Sequence, residues 1–359
     1  MHKWRRLLLP FSLIYGFIIS IRNYLFDSGR LKSASYSIPI IGIGNLTTGG
    51  SGKTPHIEYL IRLLSSEYRC ATLSRGYGRK SKGFIFAELP TNTSLIGDEP
   101  MQYLTKFKDV IICVSENRIY AINQLKKMEN LPHIILMDDS YQHRWIQPGI
   151  NILLIEYDSV FAKDFLLPAG NLREPWSSIK RADIIIISKS PAILAPVERK
   201  KVIERLSKYS SKPVYFTGIK YGELERVYGQ KSVLQMGLEY YREKNFTILL
   251  IAGIANPSIL IEHLRRFTDK LEMIIYRDHH EFSKKDLINI QQTFDNIANP
   301  NKIIVTTEKD SMRFRNPEID ISMQKLPIFF LPIEVNFLLE EETFKNLITN
   351  YVRKNQRNN

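Results

Sequence analysis

The chain has 359 residues, of which 44% are hydrophobic, enough to bury the cores of two domains or of one domain with a large elaboration. Its two cysteines, Cys70 and Cys113, exclude a disulfide framework and a cysteine-based zinc site, so we expect a reducing, cytosolic environment. A formal net charge of +13 indicates an acidic partner: nucleic acid, an anionic membrane surface or a phosphorylated substrate.

The N-terminus contains an uncharged apolar stretch, Leu7 to Ile21, between basic flanks. This stretch is shorter than the roughly 17 to 25 residues that a spanning helix needs, and no small-x-small signal-peptidase site follows it. We therefore predict that residues 1–26 form a helix in the interface of the cytoplasmic membrane, with its basic flanks against anionic headgroups. A buried core helix and a membrane-spanning helix are the alternatives.

From Ser37 onward, apolar runs rich in β-branched residues alternate with amphipathic stretches. Such alternation predicts a parallel sheet that is covered by helices on both faces. The predicted strands of this first run are 39–44, 70–74, 109–114, 133–139, 150–156 and 182–188, and the predicted helices are 55–66, 99–107 and 116–128.

After Val214 the composition changes to tyrosine, glycine and charged residues, which we interpret as a hairpin or an extended connection. A second α/β run follows it. We therefore predict four parts of the chain: the membrane-interface helix (1–26), a larger domain (27–214), an extended linker (215–245) and a smaller α/β domain (246–359).

The segment GNLTTGGSGKT follows the first predicted strand and precedes a helix, which is the context of a phosphate-binding loop. Thr47 replaces the usual first glycine, but the two glycines at 49 and 50 supply backbone freedom inside the loop. Backbone N–H groups of such a loop and the helix N-terminus favour phosphate oxygens. We predict that Lys53 contacts the β- and γ-phosphates and that the Thr54 hydroxyl binds Mg²⁺. The predicted nucleotide-binding residues are Thr47, Thr48, Gly49, Gly50, Ser51, Gly52, Lys53 and Thr54.

Polar and charged segments follow several of the other predicted strands. The run HIILMDD ends in Asp138 and Asp139, and a carboxylate at the end of an apolar strand holds Mg²⁺ in P-loop proteins. Arginine is suited to bidentate contacts with phosphate, so compact segments that carry it predict the rim of a phosphate site. These segments are SRGYGRK (74–80), ENR (116–118), DDSYQHR (138–144) and LLPAGNLREP (166–175).

Two further segments carry candidate proton-transfer groups. In GDEP, Asp98 stands at the start of a predicted helix, where capping of the helix and catalysis are both open interpretations. In RDHHEF, neighbouring histidines 279 and 280 do not readily face one metal ion on a regular element. We therefore favour an Asp–His pair that handles a proton.

In this order, these segments resemble one family, the tetraacyldisaccharide 4′-kinases of lipid A biosynthesis. The matching pieces are GNLTTGGSGKTP, SRGYGR, GDEP, DDSYQHR, LLPAGNLREP, AGIANP, DHH and TTEKD, which extend from about residue 42 to 310. The family's loop also lacks the first glycine of the usual pattern. The chain departs from the family at Ser140-Tyr141, where small or apolar residues are expected, and at Asn117, where aspartate is common.

The resemblance implies a kinase that uses ATP and Mg²⁺ and transfers the γ-phosphoryl group to the 4′-hydroxyl of a tetraacyldisaccharide 1-phosphate, giving lipid IVA. It implies a P-loop kinase domain, a smaller α/β domain and a two-stranded linker. It also implies a peripheral or monotopic enzyme on the cytoplasmic face of the inner membrane. The expected partners are the acylated disaccharide and the membrane surface, with neither nucleic acid nor an obligate protein partner.

The resemblance also implies roles for individual residues. Asp98 paired with His279 would activate the sugar hydroxyl, and the preference for His279 over His280 follows only from the family position. The implied catalytic set is Asp98, His279, Asp278, Lys53 and Arg118. The implied metal-binding set is Thr54, Asp138 and Asp139, and the implied substrate-binding set is Arg75, Tyr77, Gln142, His143, Asn171 and Arg173.

Two other function classes are alternatives. A P-loop ATPase or GTPase switch of the partition-ATPase type also has a GG-x-GK-T loop, but it carries a lysine before the two glycines, where this chain has Thr48. The base-reading loop of a GTPase would fall at ISKS, where Pro191 occupies the place of the required aspartate. A basic nucleic-acid-binding protein would need an aromatic stacking motif or a recognition helix, and the sequence shows neither.

Overall fold

The computed structural model describes residues 3–229, 237–315 and 321–356, which form two sheets flanked by helices. The strands are β1 (Ile40–Asn45), β2 (Cys70–Ser74), β3 (Ile85–Phe86), β4 (Ile111–Val114), β5 (Ile134–Met137), β6 (Ile150–Glu156), β7 (Ile184–Ser188), β8 (Val214–Tyr221), β9 (Glu225–Arg226), β10 (Thr247–Ala252), β11 (Leu271–Ile275), β12 (Lys302–Thr307), β13 (Ile328–Leu331) and β14 (Ile333–Phe337). The α-helices are α1 (Leu9–Asp27), α2 (Lys53–Leu64), α3 (Thr93–Ile96), α4 (Asp98–Lys106), α5 (Arg118–Leu125), α6 (Pro196–Ser207), α7 (Leu238–Glu243), α8 (Ser258–Arg265), α9 (Lys284–Asn296), α10 (Glu308–Phe314), α11 (Ile321–Gln324) and α12 (Glu341–Gln356).

The larger sheet has nine strands in the order β14-β8-β7-β6-β1-β5-β2-β4-β3. All its pairs are parallel except those of the two edge strands, β14 and β3. Strands β1, β2, β5 and β7 are buried along their whole length, as expected when helices cover both faces of a parallel sheet. The predicted α/β fold with a large parallel sheet is therefore confirmed. We call this sheet with its helices the large lobe.

The order of strands in the large lobe decides where the chemistry lies. Strand β1 pairs in parallel with β5, so the loops that follow them leave the same edge of the sheet. The glycine loop follows β1 and enters α2, whose residues Ile57, Leu60, Ile61 and Leu64 are buried at helical spacing. Asp138 and Asp139 follow β5. The glycine loop and the double aspartate therefore meet at the carboxyl edge of the sheet, where ligands bind in open α/β folds.

The smaller sheet has five strands in the order β11-β10-β12-β13-β9, of which only β9 is antiparallel to its neighbour. Apolar residues of α9, among them Leu287, Ile290 and Phe294, pack on one side of it, and Leu260 and Leu264 of α8 pack with a second cluster. We call this sheet with α7 to α10 the small lobe. Its loops face the carboxyl edge of the large sheet.

The chain returns to the large lobe at its C-terminal end, which differs from the predicted division. Strand β14 pairs with β8 of the large sheet, and Phe344, Ile348 and Val352 of α12 pack in the large core. The prediction that the smaller domain extends to residue 359 is therefore wrong for β14 and α12. The linker prediction is wrong for β8, which is a strand of the large sheet. Helical spacing of apolar residues shows that a face is buried but not which sheet it covers.

The N-terminal helix lies against the large lobe on one face and is exposed on the other. Only Ser12 and Phe26 of α1 are buried, whereas Leu7, Leu13 and Phe17 are each at least 67% exposed. The helical segment Arg5–Asp27 is long and apolar enough to cross a membrane by length and composition alone. The predicted N-terminal apolar helix is therefore present, and it extends further than the uncharged stretch.

Candidate active site

A cavity of about 510 Å³ separates the carboxyl edge of the large sheet from the loops of the small lobe. Its large-lobe wall includes residues 48–54 of the glycine loop and the double aspartate. Its small-lobe wall includes residues 254–256, 278–279 and 307–309. The predicted site residues that line it are Thr48, Gly49, Gly50, Ser51, Gly52, Lys53, Thr54, Arg75, Tyr77, Asp138, Asp139, Arg173, Asp278 and His279.

The glycine loop shows why its first glycine is dispensable. Thr47 forms an isolated antiparallel bridge with Leu172, and the Thr48 N–H donates to the Asn171 carbonyl at 2.7 Å. The loop therefore begins in extended backbone, where threonine is as suitable as glycine. The left-handed conformations occur at Gly49 (φ 113°) and Gly52 (φ 85°), where a side chain would be strained.

Lys53 and Arg173 converge on one carboxylate of the double aspartate. The Lys53 ammonium lies 3.3 Å from Asp139 Oδ1, and Arg173 Nη1 donates to Asp139 Oδ2 at 2.9 Å. Burial raises the pKa of Asp139, but the charges of Lys53 and Arg173 outweigh it and lower the pKa to about 2. Asp139 is therefore ionised at neutral pH and holds two cations beside the glycine loop.

Asp138 has a different environment from its neighbour. Its side chain is buried and accepts a hydrogen bond from the Tyr103 hydroxyl at 2.9 Å. Burial, followed by repulsion from Glu99 and Asp139, raises the pKa of Asp138 to about 7, although Lys53 opposes this rise. A buried carboxylate of this kind gains from a divalent cation, because the cation favours its ionised form.

Asp98 lies behind the cavity wall in a cluster of cationic groups. Its Oδ2 contacts Arg313 and lies 3.2 Å from His279 Nδ1 and 3.8 Å from Lys309 Nζ. Burial raises the pKa of Asp98, but Lys309, His279 and Arg313 outweigh it and hold the pKa well below its usual value. Its other oxygen accepts from the Glu99 N–H at the start of α4. The two interpretations of Asp98 are therefore compatible, because each uses a different oxygen.

His279 and its neighbour His280 lie in different environments. His279 lines the cavity, and its ring lies 4.6 Å from that of Tyr77. Its Nδ1–H donates to Asp98, which leaves Nε2 to accept from Lys309 Nζ at 3.1 Å. His280 instead stacks on Tyr276 and contacts Asp286 at the start of α9. The geometry thus pairs Asp98 with His279.

Backbone strain is concentrated at this cavity. In the described part of the chain, five non-glycine residues have a positive φ, and three of them, Asp139, Lys189 and His279, line the cavity. Each such conformation is costly and persists only where the surroundings hold it. The His279 N–H, for example, donates to the Gly253 carbonyl at 3.2 Å.

Arg118 does not line the cavity, which differs from its predicted place among the catalytic residues. Its buried guanidinium donates to the carbonyl oxygens of Asp138 and Asp139, at 2.6 and 3.2 Å. It therefore supports the turn that carries the double aspartate rather than facing a ligand in the cavity. Sequence could place Arg118 near the site but not show which way its side chain points.

Three predicted substrate-binding residues lie between the glycine loop and α1 rather than in the cavity. Gln142 Nε2 donates to the Asn45 carbonyl, and the Asn171 side chain accepts from Arg5 at 3.0 Å. His143 Nε2 is buried and has no hydrogen-bond partner among the described residues. Burial, followed by the charges of Arg118, Arg22 and Arg75, lowers the pKa of His143 to about 4. This region is a second polar cluster that adjoins the N-terminal helical segment.

Sequence reasoning missed Lys309 and Arg313, the cations that surround Asp98. Both lie on α10, which directly follows strand β12, and Lys309 also forms an ion pair with Glu99 at 3.2 Å. The sequence feature that could have indicated them is the segment TTEKD, in which charged residues follow an apolar strand. It contributed to the family resemblance, but nothing local connected it with GDEP.

The comparisons with known proteins agree with one another. Residues 4–353 match the model of the family described as tetraacyldisaccharide-1-P 4′-kinase. Similar curated proteins include the tetraacyldisaccharide 4′-kinase of Phocaeicola vulgatus, 42% identical over 99% of this chain and 97% of that protein. The corresponding kinase of Flavobacterium psychrophilum is 43% identical over 100% of both chains. Among solved structures, LpxK from Aquifex aeolicus in complex with ATP is 30% identical, with a TM-score of 0.73 over 97% of this chain and 99% of that one.

Proposed function

The chain belongs to the tetraacyldisaccharide-1-P 4′-kinase family, and from this premise we propose that it phosphorylates the 4′-hydroxyl of a tetraacyldisaccharide 1-phosphate with ATP, giving lipid IVA. The observation that carries the proposal is one cavity that joins a phosphate-binding loop to an Asp98–His279 pair. A partition-type switch is not favoured, because Thr48 occupies the place of its signature lysine.

The cavity is lined by both polar and apolar groups, which suit the phosphates and the base and ribose of ATP, respectively. Backbone N–H groups of residues 49–53 and the N-terminus of α2 suit the phosphates. The buried Ser51 hydroxyl has no hydrogen-bond partner among the described residues, so a phosphate oxygen would satisfy it. The apolar lining, which suits the base and ribose, comprises Ile219, Ile254, Ile259, Leu260, Leu331, Ile333 and Val335.

We propose that Thr54, Asp138 and Asp139 hold Mg²⁺ together with the phosphates. Within the described ranges, no group of three or more acidic, histidine or cysteine side chains is arranged to hold a metal. This agrees with Mg²⁺, which binds through one or two carboxylates, water and substrate phosphates rather than in a cage of protein ligands. The raised pKa of Asp138 also fits a carboxylate that gains from a cation. When bound, Mg²⁺ neutralises charge on the phosphates.

The proton of the sugar hydroxyl leaves as its oxygen bonds to the γ-phosphorus and the bond to the ADP oxygen breaks. We assign this proton to His279 Nε2, since His279 lines the cavity while Asp98 lies behind it. Asp98 holds the Nδ1–H and, being ionised, stabilises the imidazolium that forms. Lys309, 3.1 Å from Nε2, must move toward Glu99 or the phosphates to free that nitrogen.

The function is tested with the purified full-length protein in mixed micelles that contain the acylated disaccharide 1-phosphate and ATP labelled at the γ-phosphate. We expect the label to appear at the 4′ position of the lipid. The matched control is the same lipid without its 4′-hydroxyl, which should remain unlabelled. Release of labelled phosphate to water without labelling of the lipid would overturn the proposal, and so would stimulation of that release by DNA.

We propose that the exposed face of α1 binds the cytoplasmic surface of the inner membrane, with Arg6 and neighbouring basic residues near anionic headgroups. Replacing Phe11 and Phe17, 60% and 67% exposed, together by glutamate is expected to shift the protein from the membrane to the soluble fraction. Turnover of detergent-dispersed substrate should stay within about threefold, because neither side chain is buried against the large lobe.

The control for this prediction is Ile193→Glu, at a position that is 91% exposed in the loop between β7 and α6. We expect this variant to stay in the membrane fraction. Retention of the double glutamate variant at the membrane would contradict the assignment of this face. Membrane binding is measured by vesicle flotation with anionic vesicles.

A further inference from the structure

Behind the cavity wall, one lysine connects the two lobes through buried carboxylates. Lys106, the last residue of α4, lies 2.7 Å from Glu58 Oε2 on α2 and 2.7 Å from Glu308 Oε1 on α10. Glu58 is fully buried, and Glu308 is 4% exposed. Gln102, one turn earlier on α4, donates to the other Glu58 oxygen at 2.7 Å. We call Glu58, Lys106 and Glu308 the interlobe bridge.

The interlobe bridge holds the two lobes together at a high cost in desolvation free energy. Moving three charged groups from water into the protein interior carries a desolvation penalty that apolar side chains of the same size would not carry. Stability alone therefore does not account for the interlobe bridge. Glu58 also forms an ion pair with Arg62, at 3.1 Å. Glu308 Oε2, by contrast, has no hydrogen-bond partner in the described ranges. Burial and repulsion from Glu58 raise the pKa of Glu308 to about 7, against the effect of Lys106. What such a bridge provides is a fixed geometry between the helices that carry it.

These three helices also carry residues of the proposed site. Helix α2 begins at Lys53, α4 begins at Asp98, and α10 carries Lys309 and Arg313. Lys309 directly follows Glu308 in sequence, and Lys106 lies two turns from Asp98 on the same helix. A shift of α10 relative to α4 would therefore change the contacts of Asp98 with Arg313 and Lys309.

We propose that Lys106 is a positioning residue: by bonding Glu58 and Glu308 at once, it fixes α10 of the small lobe against α2 and α4 and so aligns Lys309 and Arg313 with Asp98. The proposal deepens the proposed function, on which it rests only through the role of Asp98. Lys106 itself does not line the cavity.

The first test compares Lys106→Met with Lys106→Arg and with Lys108→Met, an exposed lysine two residues further on. We expect Lys106→Met to lower kcat at least about tenfold, because small misplacements of reacting groups are costly in rate. The KM for ATP should change by less than about threefold, since the glycine loop is intact. Lys106→Arg should recover most of the activity, and Lys108→Met should match wild type. A wild-type kcat for Lys106→Met would overturn the proposal.

The second test separates positioning from folding. In an Asp98→Asn background, Lys106→Met should lower kcat by less than about threefold, because both changes act on the same cluster. Fully multiplicative losses would overturn the proposal. The double variant Lys106→Met/Glu308→Gln removes one of the carboxylate charges left unpaired, so its folded fraction should recover while its kcat remains low. Recovery of wild-type kcat in this variant would overturn the proposal, because charge balance alone would then account for the effect.

A third measurement does not depend on catalysis. Spin labels at Ile203→Cys on α6 and Ile288→Cys on α9, both exposed, report the distance between the lobes. We expect Lys106→Met to broaden this distance distribution and Lys108→Met to leave it unchanged. An unchanged distribution in Lys106→Met would overturn the positioning role. A broadened distribution in a protein that phosphorylates no disaccharide would overturn the proposed function and leave the interlobe bridge standing.

Discussion

Replacing Asp98 by asparagine is expected to lower kcat by about 10²- to 10⁴-fold, the range assigned to a positioned proton-transfer group. Asparagine keeps the shape of the side chain but removes the charge that faces Lys309, Arg313 and His279. Without that charge, the imidazolium formed when His279 takes the sugar proton loses its stabilising partner. The KM for ATP should change far less, because the glycine loop is on the other side of the cavity.

His279→Ala is expected to lower kcat to a similar extent, and the double variant should be much less than multiplicatively worse, since the two residues act as a unit. His280→Ala is the matched control: it loses contacts with Asp286, Tyr276 and Phe282, none of which lines the cavity, so kcat should stay within about threefold. Multiplicative losses would mean that Asp98 and His279 work independently. A wild-type rate for His279→Ala together with an inactive His280→Ala would show that His280, rather than His279, accepts the sugar proton.

Replacing Lys53 by alanine is expected to lower kcat/KM by at least about 10²-fold, the loss that follows removal of one preorganised donor from a developing charge. Lys53 is the cation of the glycine loop, and charge collects on the γ-phosphoryl group during transfer. The substitution also leaves Asp139 with its ion pair to Arg173 but without the one to Lys53. Steady-state rates and ATP binding by calorimetry measure the two consequences separately.

Lys126→Ala is the control for this experiment, because Lys126 is exposed at the end of α5. It should match wild type in both measurements. Lys53→Arg should not recover the activity, since a guanidinium is larger than the ammonium that fits beside Asp139. An alanine variant within a few-fold of wild type would contradict the role of the glycine loop in phosphate binding.

The sequence alone was enough to predict the features that depend on residues close together in the chain. The parallel sheet followed from apolar runs, and the glycine loop followed from a strand, two glycines and Gly52-Lys53-Thr54 before a helix. The tolerance of Thr47 could not be explained in this way. Its extended backbone depends on the pairing with Leu172, a residue of a distant segment.

The surroundings of Asp98 depend even more on the folded chain. Arg313 is 215 positions from Asp98, and the two meet only because the small lobe folds against α4. The return of β14 and α12 to the large lobe has the same origin, since the periodicity of Phe344, Ile348 and Val352 predicts a buried face without naming its partner. Sequence patterns thus identified the groups but not their pairing.

Helix α1 and Arg5 just before it are held by the segment 166–173, which also contacts the start of the glycine loop, so the helix is not an independent appendage. Arg5 donates to the Gly170 carbonyl, Ser12 to that of Leu166 and Tyr15 to that of Arg173. The same loop holds the Thr48 N–H through Asn171. Deleting the helix is therefore expected to loosen the segment 166–173 and, through Asn171, the start of the glycine loop, and also to remove the proposed membrane-binding face. We expect a water-soluble form of this enzyme to result when exposed apolar side chains of α1, such as Phe11 and Phe17, are replaced by polar ones. The residues that contact the segment 166–173, such as Ser12 and Tyr15, should be left unchanged.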